Sequence, residues 1–417
     1  VLSEDPENGV EFFEGKNIHR YYIERPGLYL DYRPDEVYGP RHSSLFESEK
    51  IAVRYVSDED DGLLASYDAG GMYTDHLTVL CTHYQNIESG ELQAEFEGFP
   101  HVSQDYDLKF LLSVINSKVE KFYYASRFAT GSLQGSYSHV YPRSVRRFLI
   151  PEMDLDGEET NISRDTVNSL IENNEEQDIS TAIGEFKSDI DNRTKVVHDL
   201  LAELCDYILD AKATHHNLNL DLQDYLDLSK TGEKLSDIEG YQPASGATDS
   251  ILTETSEERE KLKAGSIKIE NQSGKLTILM SARYKPTNPE EYETDQWGYT
   301  ETDLIPAVEF VGIDNKSESL ITEFVPVAFE EAGGFANFRE SATKTKGVLS
   351  RLKSLELPDL TNSSNEFEAY LEVSRRSKEL EDNCQSAEEI IDRILFNIYG
   401  LSQEEVHILE TEIEPND

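Results

Sequence analysis

The chain has 417 residues, 83 acidic against 38 basic, with a formal net charge of -45 and a pI near 4.5. That balance argues against a globally basic binder of nucleic acid or membrane, while 37% hydrophobic and 10% aromatic residues supply apolar material for about two or three domains. No run approaches the roughly 20 apolar residues of a membrane span, and Cys81, Cys205 and Cys384 are too scattered for a disulfide framework or a zinc site. A reducing, cytoplasmic setting is expected, and the start at Val1 without an initiating Met is expected to mark a fragment.

Residues 1–152 carry short aromatic and β-branched runs separated by turn residues, the pattern of small strands. Within them, Asp107–Tyr124 places apolar residues at 108, 111, 112, 115, 119, 122 and 123, which predicts one packed helix. Residues 153–235 read as a helical scaffold: an acidic stretch, then an amphipathic stripe over Ile190–Ala211. Residues 236–264 are polar and turn-rich and are expected to be a linker. Residues 265–335 read as a small β-rich insert, with strands expected in SIKIENQ, KLTILMSARYK, LIPAVEFVGID and SLITEFVPVAF. Residues 336–417 form a helical region, with helices expected at about 336–355, 364–383 and 386–411. The expected class is α+β, and no internal repeat is present.

Thirty-one consecutive residues between Glu120 and Glu152 contain no Asp or Glu, although about one residue in five of the chain is acidic. Random placement gives such a run odds of roughly one in a thousand at any chosen start. The same window holds Lys121, Arg127, Arg143, Arg146 and Arg147. A surface that approaches phosphates keeps Arg and Lys and excludes carboxylates, so this window is expected to be the nucleic-acid face. Its Gly131–Ser138 stretch offers Gln134, able to pair bidentately with adenine, and Ser136. Arg20 and Arg54, on strand-like runs, are further candidates for phosphate or guanine contact; the alternative for each is a cross-strand ion pair. The surplus of carboxylates elsewhere suits a molar-salt cytoplasm, where a Debye length of about 3 Å screens self-repulsion, so a halophilic, archaeal source is expected.

Several motifs then fall in a collinear order. Gly15–Tyr21, Lys50–Arg54, Tyr67–Tyr73, Phe110–Lys118 and Phe148–Pro151 resemble successive segments of the TaqI-like C-terminal specificity domain. Ile391–Val406 is similar to the ending of large restriction-modification methylases of that kind. The resemblance covers 10–152 and 386–411, with little in between. It implies a target-recognition domain that follows an N6-adenine methyltransferase domain and reads the target sequence in double-stranded DNA, with Lys16 and Lys118 of its motifs as phosphate contacts. Asn116, within the same motifs, reads as a capping or structural residue.

The chemistry such an enzyme needs is not legible here. An Asn/Asp-Pro-Pro-aromatic loop and a Gly-rich turn for S-adenosylmethionine are both missing from the sequence. Asn288-Pro289-Glu290-Glu291-Tyr292 lacks the second Pro, and Asp68-Ala69-Gly70-Gly71 lies between strand-like runs. Glu185-Phe186-Lys187 and Asp314-Asn315-Lys316 match the end of a nuclease motif no more often than this composition gives by chance, and His215-His216 has no set of partner ligands. No catalytic residue, metal site or cofactor is therefore expected in this chain. S-adenosylmethionine, with magnesium where cleavage accompanies methylation, is expected in a catalytic domain on the same polypeptide or acting in trans. The competing expectations are a stand-alone specificity subunit and an acidic DNA mimic or protein-interaction module, the last disfavoured by the acid-free window.

Overall fold

The computed structural model describes residues 2–36, 40–56, 63–86, 106–128, 139–156, 162–172, 194–246, 251–253, 256, 258–330 and 347–413. They form a mixed α+β chain of two compact units, Val1–Leu218 with Ser377–Asp417, and Asn219–Arg376. The residues expected as a recognition domain, 1–152, thus share a unit with the helices Arg164–Glu172, Lys195–His216 and Gln403–Ile413.

In the first unit, the strand Lys50–Arg54 lies between Ala65–Asp68 and Thr78–Cys81, antiparallel to both. Its alternating side chains enter two cores: Ile51 and Val53 pack with Leu112, Leu201 and Leu395, and Ala52 with Phe13, Ile18 and Met72. A second sheet runs Leu2–Ser3, Leu28–Leu30, Val10–Phe13, Tyr73–Thr74, with its last pair parallel. Between them, Ile18–His19 and Tyr22–Ile23 form a hairpin whose turn is Arg20–Tyr21. Such a tight turn needs positive φ, and Tyr21 supplies it at φ 60. Its ring is buried in the larger core, which offsets the unfavourable backbone.

Lys50, the first residue of the strand Lys50–Arg54, is fully buried. Its ammonium pairs with Asp68 and donates to the carbonyls of Phe46 and Ser48, while Asp68 also accepts the Gly70 N–H at 3.1 Å. Burial pulls the Lys50 pKa down and the Asp68 carboxylate counters that pull. Gly70, at φ 111, sits where a Cβ would meet the Glu47 carbonyl oxygen at 2.5 Å, so the Asp-Ala-Gly-Gly run closes a loop around a buried ion pair.

The single helix expected over Asp107–Tyr124 is two, Leu108–Ile115 and Lys118–Phe128. The break has a side-chain cause. Asn116 Nδ2 donates to the Ala65 carbonyl at 3.0 Å, and Ser117 Oγ starts the next helix by accepting the Glu120 N–H at 3.3 Å. From the C-terminal helix Ser364–Tyr399, Asp392 Oδ1 accepts the Lys118 N–H at 2.8 Å. The stripe expected over Ile190–Ala211 is a helix from Lys195 to His216, with 190–193 outside the described residues.

The second unit holds a five-stranded sheet of Tyr241–Pro243, Ile305–Val311, Lys275–Pro286 and Arg259–Gln272, with Thr300–Glu301 added beside Lys275–Pro286. One face, with Ile278, Met280 and Tyr284, packs with Ile321, Phe324 and Leu352. The other carries Lys275, Thr277, Leu279, Arg283 and Lys285, all half-exposed. Residues 236–264, expected as a linker, contribute two of these strands and the buried Leu252 and Leu262.

Two further expectations are corrected. SLITEFVPVAF is not a strand but part of the helix Asn315–Glu330. Its buried residues fall at 320, 321, 324, 325, 328 and 329, a helical spacing that β-branched and aromatic content disguised. Asp314 caps it by accepting the Lys316 and Ser317 N–H groups, both at 3.1 Å, so Asp314-Asn315-Lys316 is a helix start. The break expected between 383 and 386 is absent: the helix runs on to Tyr399 and stops at Gly400, φ 70, before a Ser402–Glu405 capping box starts the next. Of the helix expected at 336–355, Val348–Lys353 is present and 336–346 lie outside the described residues.

Replacing Asp68 by Ala leaves a buried ammonium without its counter-charge. We expect the variant to lose about 3–5 kcal/mol of stability, read by denaturant unfolding followed by circular dichroism, and Lys50→Met with Asp68→Leu to recover most of it.

Candidate nucleic-acid interface

The acid-free window emerges from the helix Lys118–Phe128 and returns at His139, with 129–138 outside the described residues. Its return is pinned at several points. Val56 bridges His139, and Val140 N–H donates to the Tyr55 carbonyl at 2.6 Å, which extends the central strand of the three-stranded sheet onto this segment. Tyr124 OH donates to the His139 carbonyl at 3.2 Å. Further on, Leu149 N–H donates to Glu120 Oε2 at 3.1 Å, and Tyr399 OH donates to the Leu149 carbonyl. Between these anchors, Pro142–Val145 makes one helical turn, with Pro at its first position and Ser144 buried beneath it.

That turn projects Arg143, Arg146 and Arg147, all exposed. Arg143 lies over the Tyr141 ring, 4.9 Å from its centroid. Tyr141 stands edge-on to Tyr55 at 5.5 Å, and Tyr55 lies 5.0 Å from His139. Tyr141 is 38% exposed and Leu149 42%, so arginines and partly open apolar surface alternate along one short segment. Arg146 reaches the sheet edge, where its charge offsets part of the burial that pushes the Cys81 thiol up to about 11. The aromatic group of Tyr55, His139 and Tyr141 was not among the sequence candidates. The signal was there: Tyr55 directly follows the Lys50–Arg54 motif, and His139 and Tyr141 flank a Val in the acid-free window.

The remaining candidates are dispersed. Arg127 is exposed at the end of its helix, and Lys121 is half-exposed on the same helix. Gln134 and Ser136 lie outside the described residues. Arg54 ends the central strand and, by alternation, points to the opposite face from Tyr55. Lys118 is half-exposed at a helix N-terminus whose N–H is held by Asp392. Lys16 is exposed and paired with Glu14. Arg20 pairs with Glu388 at 2.6 Å, an ion pair with the C-terminal helix and not the cross-strand pair weighed as its alternative. The structure therefore groups Arg143, Arg146 and Arg147 and leaves Lys16, Arg20 and Arg54 apart from them.

The acid that opens the window has its own part in this geometry. Glu120 is 0% exposed. One carboxylate oxygen holds Leu149 N–H and the other has no hydrogen-bond partner among the described residues. Burial raises its pKa to about 7 against the single amide that favours the charge, and burial likewise raises Asp392 to about 6. Among the described residues no group of three His, Cys, Asp or Glu is placed to hold a metal. His216 stacks on Tyr22 at 3.7 Å, and His215 lies 2.8 Å from Ser377 and 3.0 Å from Glu381. No helix is long and apolar enough to cross a membrane among the described residues.

Residues 10–148 match the family model of the TaqI-like C-terminal specificity domain. The matched stretch, a third of the chain, carries with it a role in DNA sequence specificity in restriction-modification. No curated protein and no solved structure matches the chain.

Glu120 supplies a pH test. Its folded pKa lies above the ordinary value of 4.5, so the folded state holds the proton more tightly, and stability falls as pH rises from about 4.5 to about 7. Glu120→Gln keeps an acceptor for Leu149 N–H without the charge. We expect it to be more stable than the parent above pH 7, by on the order of 1 to 3 kcal/mol, with the difference shrinking toward pH 4.5 in unfolding curves across that range.

Proposed function

We propose that this chain, which carries a TaqI-like C-terminal specificity domain over residues 10–148, is the DNA sequence-recognition portion of an adenine-specific restriction-modification methyltransferase. The carrying observation is the pinned Arg143–Arg147 turn: three exposed arginines on a carboxylate-free segment, in a chain of net charge -45. In this reading the arginines grip phosphates and set the register of the duplex. Tyr141 and Leu149 provide apolar contact, and Gln134 and Ser136 reach base edges in the major groove. Arg127 and Lys121 extend the phosphate contacts along the adjoining helix.

The chain supplies address, not chemistry. Methyl transfer from S-adenosylmethionine to adenine N6, and any cleavage, belong in this reading to a catalytic domain on the same polypeptide or in trans, toward which recognition presents one adenine for flipping. Where the cytoplasm is rich in salt, counterion release weakens phosphate binding steeply, and base and shape contacts must carry more of the affinity.

The test is fluorescence anisotropy of duplex DNA with the whole chain, titrated with potassium chloride at salts where circular dichroism shows folding. Changing Arg143, Arg146 and Arg147 to Ala is expected to weaken binding at every salt and to lower the slope of log affinity against log salt by up to about three, at ~0.9 per phosphate contact. An unchanged slope and affinity would sink the assignment of the DNA face to this turn.

A further inference from the structure

A second cationic cluster lies wholly within the second unit, outside the matched domain. On the open face of its sheet, Arg283 and Lys285 lie on the same side of one strand, and Lys263 stands opposite Arg283 in register. Three cations converge on the ring of Tyr299. Lys263 Nζ is 4.1 Å, Lys285 Nζ 4.9 Å and the Arg283 guanidinium carbon 5.2 Å from its centroid.

The ring is held in place. Asp295 Oδ1 accepts Trp297 N–H at 2.9 Å and Tyr299 N–H at 2.8 Å, and the same carboxylate pairs with Arg283. Glu301, which faces Arg283 from the neighbouring strand, is occupied by the hydroxyls of Ser266 and Ser281. Lys263 and Lys285 make no ion pair among the described residues, although Glu260 stands opposite Lys285.

In a chain with 83 acidic residues against 38 basic, carboxylates are the cheapest partners available, and these two lysines do without them. A ring face instead steers both ammonium groups, an attraction worth only ~0.5–1 kcal/mol at exposed sites. Asp295 answers the charge of Arg283, but the two ammonium groups repel one another until a further anion joins them. Trp297, 63% exposed in the turn that carries Tyr299, sets a large aromatic surface beside the charges.

We propose that Lys263, Arg283 and Lys285, arranged on Tyr299, form a second phosphate-binding face whose partner is the sugar–phosphate backbone of duplex DNA, with Trp297 at its edge. The proposal rests on the reading of the chain as a DNA-recognition protein. Charge complementarity selects a polyanion, and that reading selects DNA over an acidic protein.

Trp297 is the single tryptophan of the chain, so its emission reports on this face without any substitution. The experiment follows the anisotropy of a labelled duplex and the emission of Trp297 with an unlabelled one, using the whole chain. The expected result is a saturable change in emission with the midpoint of the anisotropy curve. Lys263→Gln with Lys285→Gln is expected to weaken binding and to lower the salt slope by about two, at ~0.9 per phosphate, while the Arg143/Arg146/Arg147 variant keeps the emission change at salts where it still binds. Intact binding with silent Trp297 emission and an unchanged slope in the lysine variant would overturn this proposal and leave the recognition reading standing. Absence of any anisotropy change in the parent chain would overturn both. Poly-glutamate displacing the duplex at equal charge concentration would assign the face to an acidic protein instead.

Discussion

The hydrogen bond from the Leu149 amide to the buried Glu120 carboxylate governs how the basic turn is presented. A carboxylate stripped of water with one donor is an expensive anchor, and its raised pKa records that cost. What it secures is position. Glu120 belongs to a helix whose N-terminus is capped by Ser117 from its own segment and by Asp392 from the C-terminal helix. The chain of contacts from Asp392 through Lys118 and Glu120 to Leu149 therefore ties the end of the sequence to the arginine turn. Tyr399 closes the same loop from the other side through the Leu149 carbonyl. Packing of the C-terminal helix, with Ile391, Ile394 and Ile398 in the larger core, supports the whole arrangement.

Residues nearly three hundred positions apart in the sequence are thus joined directly, Lys118 to Asp392. Most of the residues that carry the family resemblance are not on the surface. Asn17, Ile18, Tyr21, Lys50, Ile51, Val53, Asp68, Asn116 and Ser117 are all buried. Gly15 lies where a Cβ would come within 2.3 Å of the Leu77 carbonyl oxygen. They answer demands of backbone geometry and buried charge, whereas Tyr141, Arg143, Arg146 and Arg147 of the turn are exposed.

The sequence made the small strands of the first unit legible, because two-faced burial leaves runs such as Ile51-Ala52-Val53 apolar and β-branched between charged ends. The acid-free window was legible as charge statistics. The helix break at Asn116–Ser117 was not, since the hydrophobic spacing continues across it and only a long-range carbonyl at Ala65 and a distant Asp392 reveal the stop. Residue propensity misled at Ser319–Phe329, where Ile, Thr, Val and Phe favour a strand in isolation although the apolar spacing is that of a helix. Arg20 could not be placed from sequence because its partner, Glu388, is separated from it by most of the chain.

The anchors of the window sit on either side of a stretch they do not include: Tyr124 and Phe128 before it, His139 and Val140 after it. The two ends of the window are thus fixed to the core independently of one another. Lengthening such a connection is inexpensive, since doubling a loop adds only about 0.6 kcal/mol of closure entropy. Added residues between Phe128 and His139 would therefore leave the Glu120–Leu149 and Tyr399–Leu149 anchors in place, and with them the presentation of Arg143, Arg146 and Arg147.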